Sequence, residues 1–327
     1  MWNFPLSYRG AGADGPFADP GRDHGAPMEG YYWRFVDLPG RRVLVVLCGV
    51  CEGVAGRWAL VALAAHPGGL VRHAIVEPAG GDPDRFGVVA GEVLDGSLEH
   101  LRARLDADNW IDVELRPRVR WPRRVFGALG PAHLVPGLAQ YWHPALLDAE
   151  VTGEACVAGR RRCLDGSRVY AEKNWGPGFA GRWWWGHAAA FPQPEIGVAF
   201  AGGHLPLLGA DPAPTAVVVR LGPRVLALRP PTARARVGVG DGRWRLRMRS
   251  PLHRLELEGE ADDAAPHVLP VPELGVPRVE MRSRQLLAGQ IRLSLRRGRR
   301  TLIDSSSPLA GLELGEPLAT RPDGPPR

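Results

Sequence analysis

Residues 170–187 read Y-A-E-K-N-W-G-P-G-F-A-G-R-W-W-W-G-H, and this segment organises the rest of the chain. It holds four of the eleven tryptophans, Trp175, Trp183, Trp184 and Trp185. It also holds Lys173, the one lysine among 41 Lys and Arg residues. A lysine ammonium is a compact point charge whose pKa moves on burial, a role that Arg does not fill. Successive side chains of a strand point to opposite faces. Glu172 and Asn174 therefore share one face, and Lys173 and Trp175 share the other. The same parity allows Trp183 and Trp185 to line one cavity together with His187, and sends Trp184 the other way. A buried Glu-Lys-Asn set that merely ties two parts of a fold together would use the same residues, so both readings stand.

Outward from this segment, short runs alternate between apolar and polar. Leu101, Ala103 and Leu105 alternate with Arg102 and Arg104, and Ile111, Val113 and Leu115 with Asp112 and Glu114. Trp244, Leu246 and Met248 alternate with arginines, as do Ile291, Leu293 and Leu295 with Arg292 and Ser294. Period two, with one face buried and one wet, is the pattern of antiparallel strands. Residues 42–50 read as a central strand, and 58–65 as another strand or a short helix. Gly80-Gly81-Asp82-Pro83 and Gly222-Pro223 supply turns. The fold class is all-β. Residues 1–27, rich in Gly, Asp and Pro, read as an irregular arm. Residues 116–144 break the alternation with Pro117, Pro122, Pro131, Pro136 and Pro144. Such a stretch is either a lid over an apolar pocket or a loop packed on the exterior.

At 327 residues the chain exceeds the usual single domain, and 45% hydrophobic with 23% charged residues is ordinary for a soluble globular protein. The net charge of +6 is spread among 35 acids. It implies a weak attraction to anionic membrane surfaces, hence peripheral membrane contact, and no nucleic-acid partner. The arginines at 243–249 face Glu256 and Glu258 with no aromatic platform between them, which reads as a cross-strand charge ladder. Cys48 and Cys51, three apart in a strand, point to opposite faces and, with Cys156 and Cys163, read as buried thiols of a reducing compartment. No signal-peptide pattern and no membrane-spanning apolar run is present, so a cytoplasmic location is expected.

A-E-K-N-W-G at 171–176 followed by W-W-W-G at 183–186 resembles the tocopherol cyclase family. Tyr141-Trp142-His143-Pro144, Met28-Glu29-Gly30-Tyr31-Tyr32, Ser283-Arg284-Gln285-Leu286-Leu287-Ala288-Gly289 and Ser307-Pro308-Leu309-Ala310-Gly311 agree with it. The likeness runs from about residue 25 to about residue 315. Where the family most often has Gln after the Trp cluster, this chain has His187, which bears on the substrate more than on the fold. The resemblance implies two lipocalin-like antiparallel β-barrel or sandwich domains, here 28–190 and 191–327.

The family closes a chromanol ring on a prenylated hydroquinone, without a cofactor or metal. That chemistry needs an acid to protonate the alkene, aromatic faces for the tertiary cation, and an acceptor for the phenol proton. A carboxylic acid kept protonated in an apolar pocket serves as the acid. Glu172 is preferred over Glu29. Lys173 could orient the hydroquinone, Asn174 and Tyr141 could hold hydroxyls, and His143 or His187 could accept the proton. Tyr32, Trp142, Trp175, Trp183 and Trp185 complete the expected substrate contacts. The sequence has no G-x-S-x-G, H-E-x-x-H, P-loop or strand-linked G-x-G-x-x-G. Two alternatives use the same features: a non-catalytic carrier of an isoprenoid or other lipid, and a related ring-forming or hydrating enzyme on another polyene or prenyl aromatic.

Overall fold

In the computed structural model, which describes residues 8–122, 126–204, 212–261 and 265–316, two antiparallel sheets make up almost the whole fold. The first has twelve strands. Its strand Met28–Asp37 lies between Arg42–Gly53 and Arg168–Gly176. Gly56–His66 and Leu70–Val76 continue it on one side, and Tyr141–Val157, Trp110–Arg120 and His100–Arg104 on the other. The second sheet, of ten strands, repeats the plan: Trp183–Ala188 lies between Ile196–Gly203 and Arg300–Gly315. In each sheet the first strand pairs with the second and with the last. The first sheet curls until Phe86 meets Tyr31 and Trp33 edge-on.

Three apolar layers follow. Tyr31, Trp33, Phe35, Val46, Cys48 and Val61 fill the interior of the first curled sheet. Phe200, Val217, Leu246, Leu257 and Leu293 fill the second. Between the sheets pack Tyr32, Val36, Val45, Trp142, Tyr170, Trp185, Val218 and Leu309. Strands buried on both faces explain why 43–50 are apolar without alternation. They also settle 58–65 as strand, within Gly56–His66.

Three expectations change. The hand-over between sheets falls in 177–182, ahead of the join at residue 190, so Trp183–Ala188 belong to the second sheet. The irregular segment is shorter than 116–144, because Trp110–Arg120 and Tyr141–Val157 absorb its ends. Pro117 and Pro144 sit at register shifts, where a strand tolerates a missing N–H. Cys163 is exposed, while Cys48, Cys51 and Cys156 are buried as expected. The β-register places Arg243, Arg245 and Arg247 opposite Glu260, Glu258 and Glu256, as the charge-ladder reading requires. Among the described residues no helix is long and apolar enough to cross a membrane.

Candidate active site between the two sheets

A cavity of about 1110 Å³ opens between the facing sides of the two sheets and reaches the mouth of the second. It slightly exceeds the roughly 300–1,000 Å³ usual for small-molecule sites. Tyr32, Trp142, Glu172 and Asn174 line it from the first sheet, and Trp183, Trp184, Trp185 and Glu313 from the second. Leu129, Ala132 and Leu138 of the 121–140 segment also border it, which favours the lid reading over exterior packing. Arg229 fastens that segment by donating to Gly127 O at 3.2 Å and Ala128 O at 2.8 Å.

Glu172 is buried and three donors converge on its Oε2. Trp142 Nε1 lies at 2.7 Å, Trp185 Nε1 at 2.8 Å, and the Tyr170 hydroxyl completes the set. No donor reaches Oε1 among the described residues. Burial pushes the carboxyl up to about 7, against the pull of the three hydrogen bonds, and nearby Glu313 adds to the rise. Near neutral pH the group is thus divided between acid and carboxylate, and its proton belongs on Oε1.

Strand register builds a second carboxyl opposite it. Glu313 pairs with Trp185 and Gln285, so all three share the face turned toward the first sheet. Trp183 Nε1 donates to Glu313 Oε1 at 2.7 Å and Gln285 Nε2 to Oε2 at 3.0 Å. Burial raises this carboxyl too. The Tyr32 hydroxyl donates to Gln285 Oε1 at 3.4 Å.

Asn174 enters the cavity because its cross-strand partner is Gly30. A Cβ at residue 30 would lie 2.6 Å from Asn174 Oδ1, and that oxygen is buried without a protein partner. Gly30→Ala should therefore turn the amide aside and weaken binding of a hydroxylated ligand by about 1 kcal/mol, the worth of one hydrogen bond. Calorimetric titration with a prenylated hydroquinone, the ligand proposed below, checks this, alongside an unchanged melting temperature.

The other expected site residues lie elsewhere. Lys173, as parity requires, points away from the cavity into the first sheet's interior. Its Nζ pairs with Glu29 Oε2 at 2.8 Å, both side chains fully buried, and donates to Arg22 O at 2.6 Å. It also meets His24 Nδ1 at 3.1 Å. His24 in turn bonds Asp14 at 2.8 Å and stacks on Trp175 at 4.0 Å. Trp175 donates to Gly12 O at 2.7 Å and stacks on Tyr141 at 5.5 Å. Lys173, Glu29, Trp175 and Tyr141 thus clamp the N-terminal arm rather than line the cavity. His143 pairs across the strands with Lys173 on that same inward face, and burial lowers its pKa to about 3.

His187 shares its strand face with Trp185 but lies behind it. It stacks on Tyr170 at 4.1 Å, and its Nδ1 is 3.4 Å from Arg34 Nη1. Burial and the arginine hold it well below the usual histidine range, so it stays neutral. Trp184 packs on the opposite face, with Nε1 3.2 Å from Thr215 Oγ1, yet reaches the cavity at the mouth of the second sheet. Parity alone excluded it.

Sequence reasoning did not single out Tyr170, Arg34 or Glu313. Tyr170 is two places before Glu172, so parity puts it on the same face. Arg34 interrupts an apolar strand and donates to Leu287 O at 2.8 Å and to Leu309 O, tying the sheets together. Glu313 carried no local signal.

Comparison with known proteins supplies the context. The tocopherol cyclase-like family matches residues 89–316. Among curated proteins, none matches the sequence. CghA with Sch210972 superposes with a TM-score of 0.61 at 13% identity over 88% of each chain. Kievitone hydratase from Nectria haematococca gives a TM-score of 0.52 at 12% identity over 88% of each chain. A putative AttH from Nitrosomonas europaea gives 0.51 at 12% identity over 90% of this chain and 94% of its own. At such identities these structures show a shared fold.

Proposed function

Since the chain belongs to the tocopherol cyclase-like family, we propose that the cavity takes a prenylated hydroquinone or similar prenyl aromatic and that Glu172 protonates its alkene, closing a chromanol-type ring. The observation that carries this reading is the asymmetry of the Glu172 carboxyl. Three donors hold Oε2, and none among the described residues reaches Oε1, on a residue lining an apolar cavity.

The steps balance. Burial keeps a share of the group protonated near neutral pH, while the donors on Oε2 stabilise the carboxylate left after proton transfer. The proton goes from Oε1 to the less substituted alkene carbon, leaving a tertiary cation. Aromatic faces of Trp142, Trp183 and Trp185 stabilise that cation by ~2 kcal/mol or more when desolvated, without trapping it. The phenol oxygen then bonds the cationic carbon, and its proton returns to a carboxylate of the cavity, so the product is an isomer of the substrate. Asn174 Oδ1 offers an acceptor for the second hydroxyl of the head group.

Incubation with a prenylated hydroquinone, followed by mass spectrometry, tests this. Ring closure gives a product of unchanged mass and altered retention. Water capturing the same cation gives a product one water heavier and makes the protein a hydratase. Saturable quenching of tryptophan fluorescence with no product makes it a carrier. The pH profile follows from the acid's role. Turnover needs the protonated form, so kcat should be level at low pH and fall about tenfold per unit above a midpoint near 7. A rate that rises through that range would remove Glu172 as the acid.

A further inference from the structure

The second sheet carries a row of arginines that the cavity chemistry does not use. Arg234 pairs across the strands with Arg249, Arg249 with Arg254, and Arg254 with Arg296. All four are exposed, and none forms an ion pair with a carboxylate among the described residues. Like charges placed directly opposite each other destabilise a sheet. Nearby positions on the same face show the usual remedy, with Arg247 3.8 Å from Glu256 and Arg292 3.5 Å from Asp304. The Arg234–Arg296 row lacks it.

Two hairpin tips extend this patch. Residues 250–253 and 297–300 are adjacent, Gly298 N donating to Leu252 O at 3.2 Å. Arg297, Arg299 and Arg300 on the second tip are exposed and likewise form no ion pair among the described residues. On the first tip Leu252, a large apolar side chain that is 58% exposed, lies in sequence between Arg249 and Arg254. Arg234, at the head of the row, also lines the cavity.

We propose that this face, formed by Arg234, Arg249, Arg254, Arg296 and the tips carrying Leu252 and Arg297, docks on the surface of an anionic lipid bilayer. Arginines pair with lipid phosphates bidentately, and each basic group near such a surface strengthens the attraction. Leu252 would enter the acyl boundary as the arginines settle among the headgroups. Nucleic acid fits less well: the row carries no aromatic on which bases could stack, and Glu256, Glu258 and Glu260 border it. The proposal does not depend on the reaction in the cavity, since binding is read without turnover.

The test is co-flotation of the full chain with vesicles of phosphatidylcholine containing 30% phosphatidylglycerol, and with pure phosphatidylcholine, at low and high salt. Preferential binding to the anionic vesicles, released by high salt, is expected. Arg249→Glu with Arg254→Glu should weaken it at least tenfold, and Leu252→Ser several-fold. Arg116→Glu with Arg160→Glu makes the same charge change on the first sheet and should leave binding within twofold. Circular dichroism confirms folding of each variant. Equal binding to both vesicles, equal loss with the two charge pairs, or binding to duplex DNA in preference to vesicles would overturn the proposal.

Discussion

Glu172→Gln should bind a prenylated hydroquinone within a few-fold of wild type and lose ring closure by on the order of 10²-fold or more, the range for removal of a general acid. The amide has the shape of the protonated carboxyl. Its oxygen can still accept from Trp142, Trp185 and Tyr170, and its nitrogen stands where the protonated Oε1 stood. What is lost is the transferable proton. Steady-state turnover and equilibrium binding, measured on the same preparation, separate the two effects. Glu313→Gln is the informative companion, because that carboxyl also lines the cavity and is also raised by burial. Normal turnover by Glu172→Gln together with failure of Glu313→Gln would move the acid to the second sheet.

Lys173→Met should destabilise the fold by about 3–5 kcal/mol, the cost of leaving one charge of a buried pair without its partner. Glu29 would keep its carboxylate in a fully buried place, since both side chains of the pair have no exposure. The loss should appear as a lower denaturant midpoint, with the N-terminal arm the first segment to exchange amide hydrogens. Lys173→Met combined with Glu29→Leu should recover most of the stability, because an apolar pair of similar volume replaces the ion pair without stranding a charge. A single variant as stable as wild type would mean that the clamp does not hold the arm.

These two variants divide a motif that looks continuous in sequence. Strand parity separated Glu172 and Asn174 from Lys173 and Trp175, and the two faces do lead to different places. Parity could not say which face meets a cavity, because both faces of Arg168–Gly176 are buried. Lys173, Glu29, Tyr141 and Trp175 were therefore legible as a constellation but not as an arm clamp. Its partners His24 and Asp14 come from a segment with no periodicity, and contacts across some 150 residues leave no local trace. His187 failed for a related reason. It shares a face with Trp185 and contacts that indole and Arg34, but it is not among the residues that line the cavity.

The alternation of residues such as Leu101 to Leu105 and Trp244 to Met248 made the all-β class readable, because half-buried strands write their geometry into sequence. The gap between two sheets is different. It is lined by residues from strands far apart, as with Tyr32, Glu172, Trp185 and Glu313. The first sheet's interior is filled by Trp33, Phe35, Leu63 and their neighbours, so the open space lies between the sheets. Glu313 lies between two leucines in a strand that reads as ordinary. Its importance arises from its register with Trp185 and Gln285, which is a property of the fold.

Turnover of a prenylated hydroquinone in deuterium oxide tests the proton-transfer account most directly. If Glu172 delivers an exchangeable proton to the alkene, the chromanol carries one solvent deuterium on the carbon adjacent to the new ring-ether carbon, and Glu172→Gln yields neither product nor label. A chromanol formed without solvent deuterium, or substrate recovered unchanged and unlabelled from the wild-type protein, would contradict it.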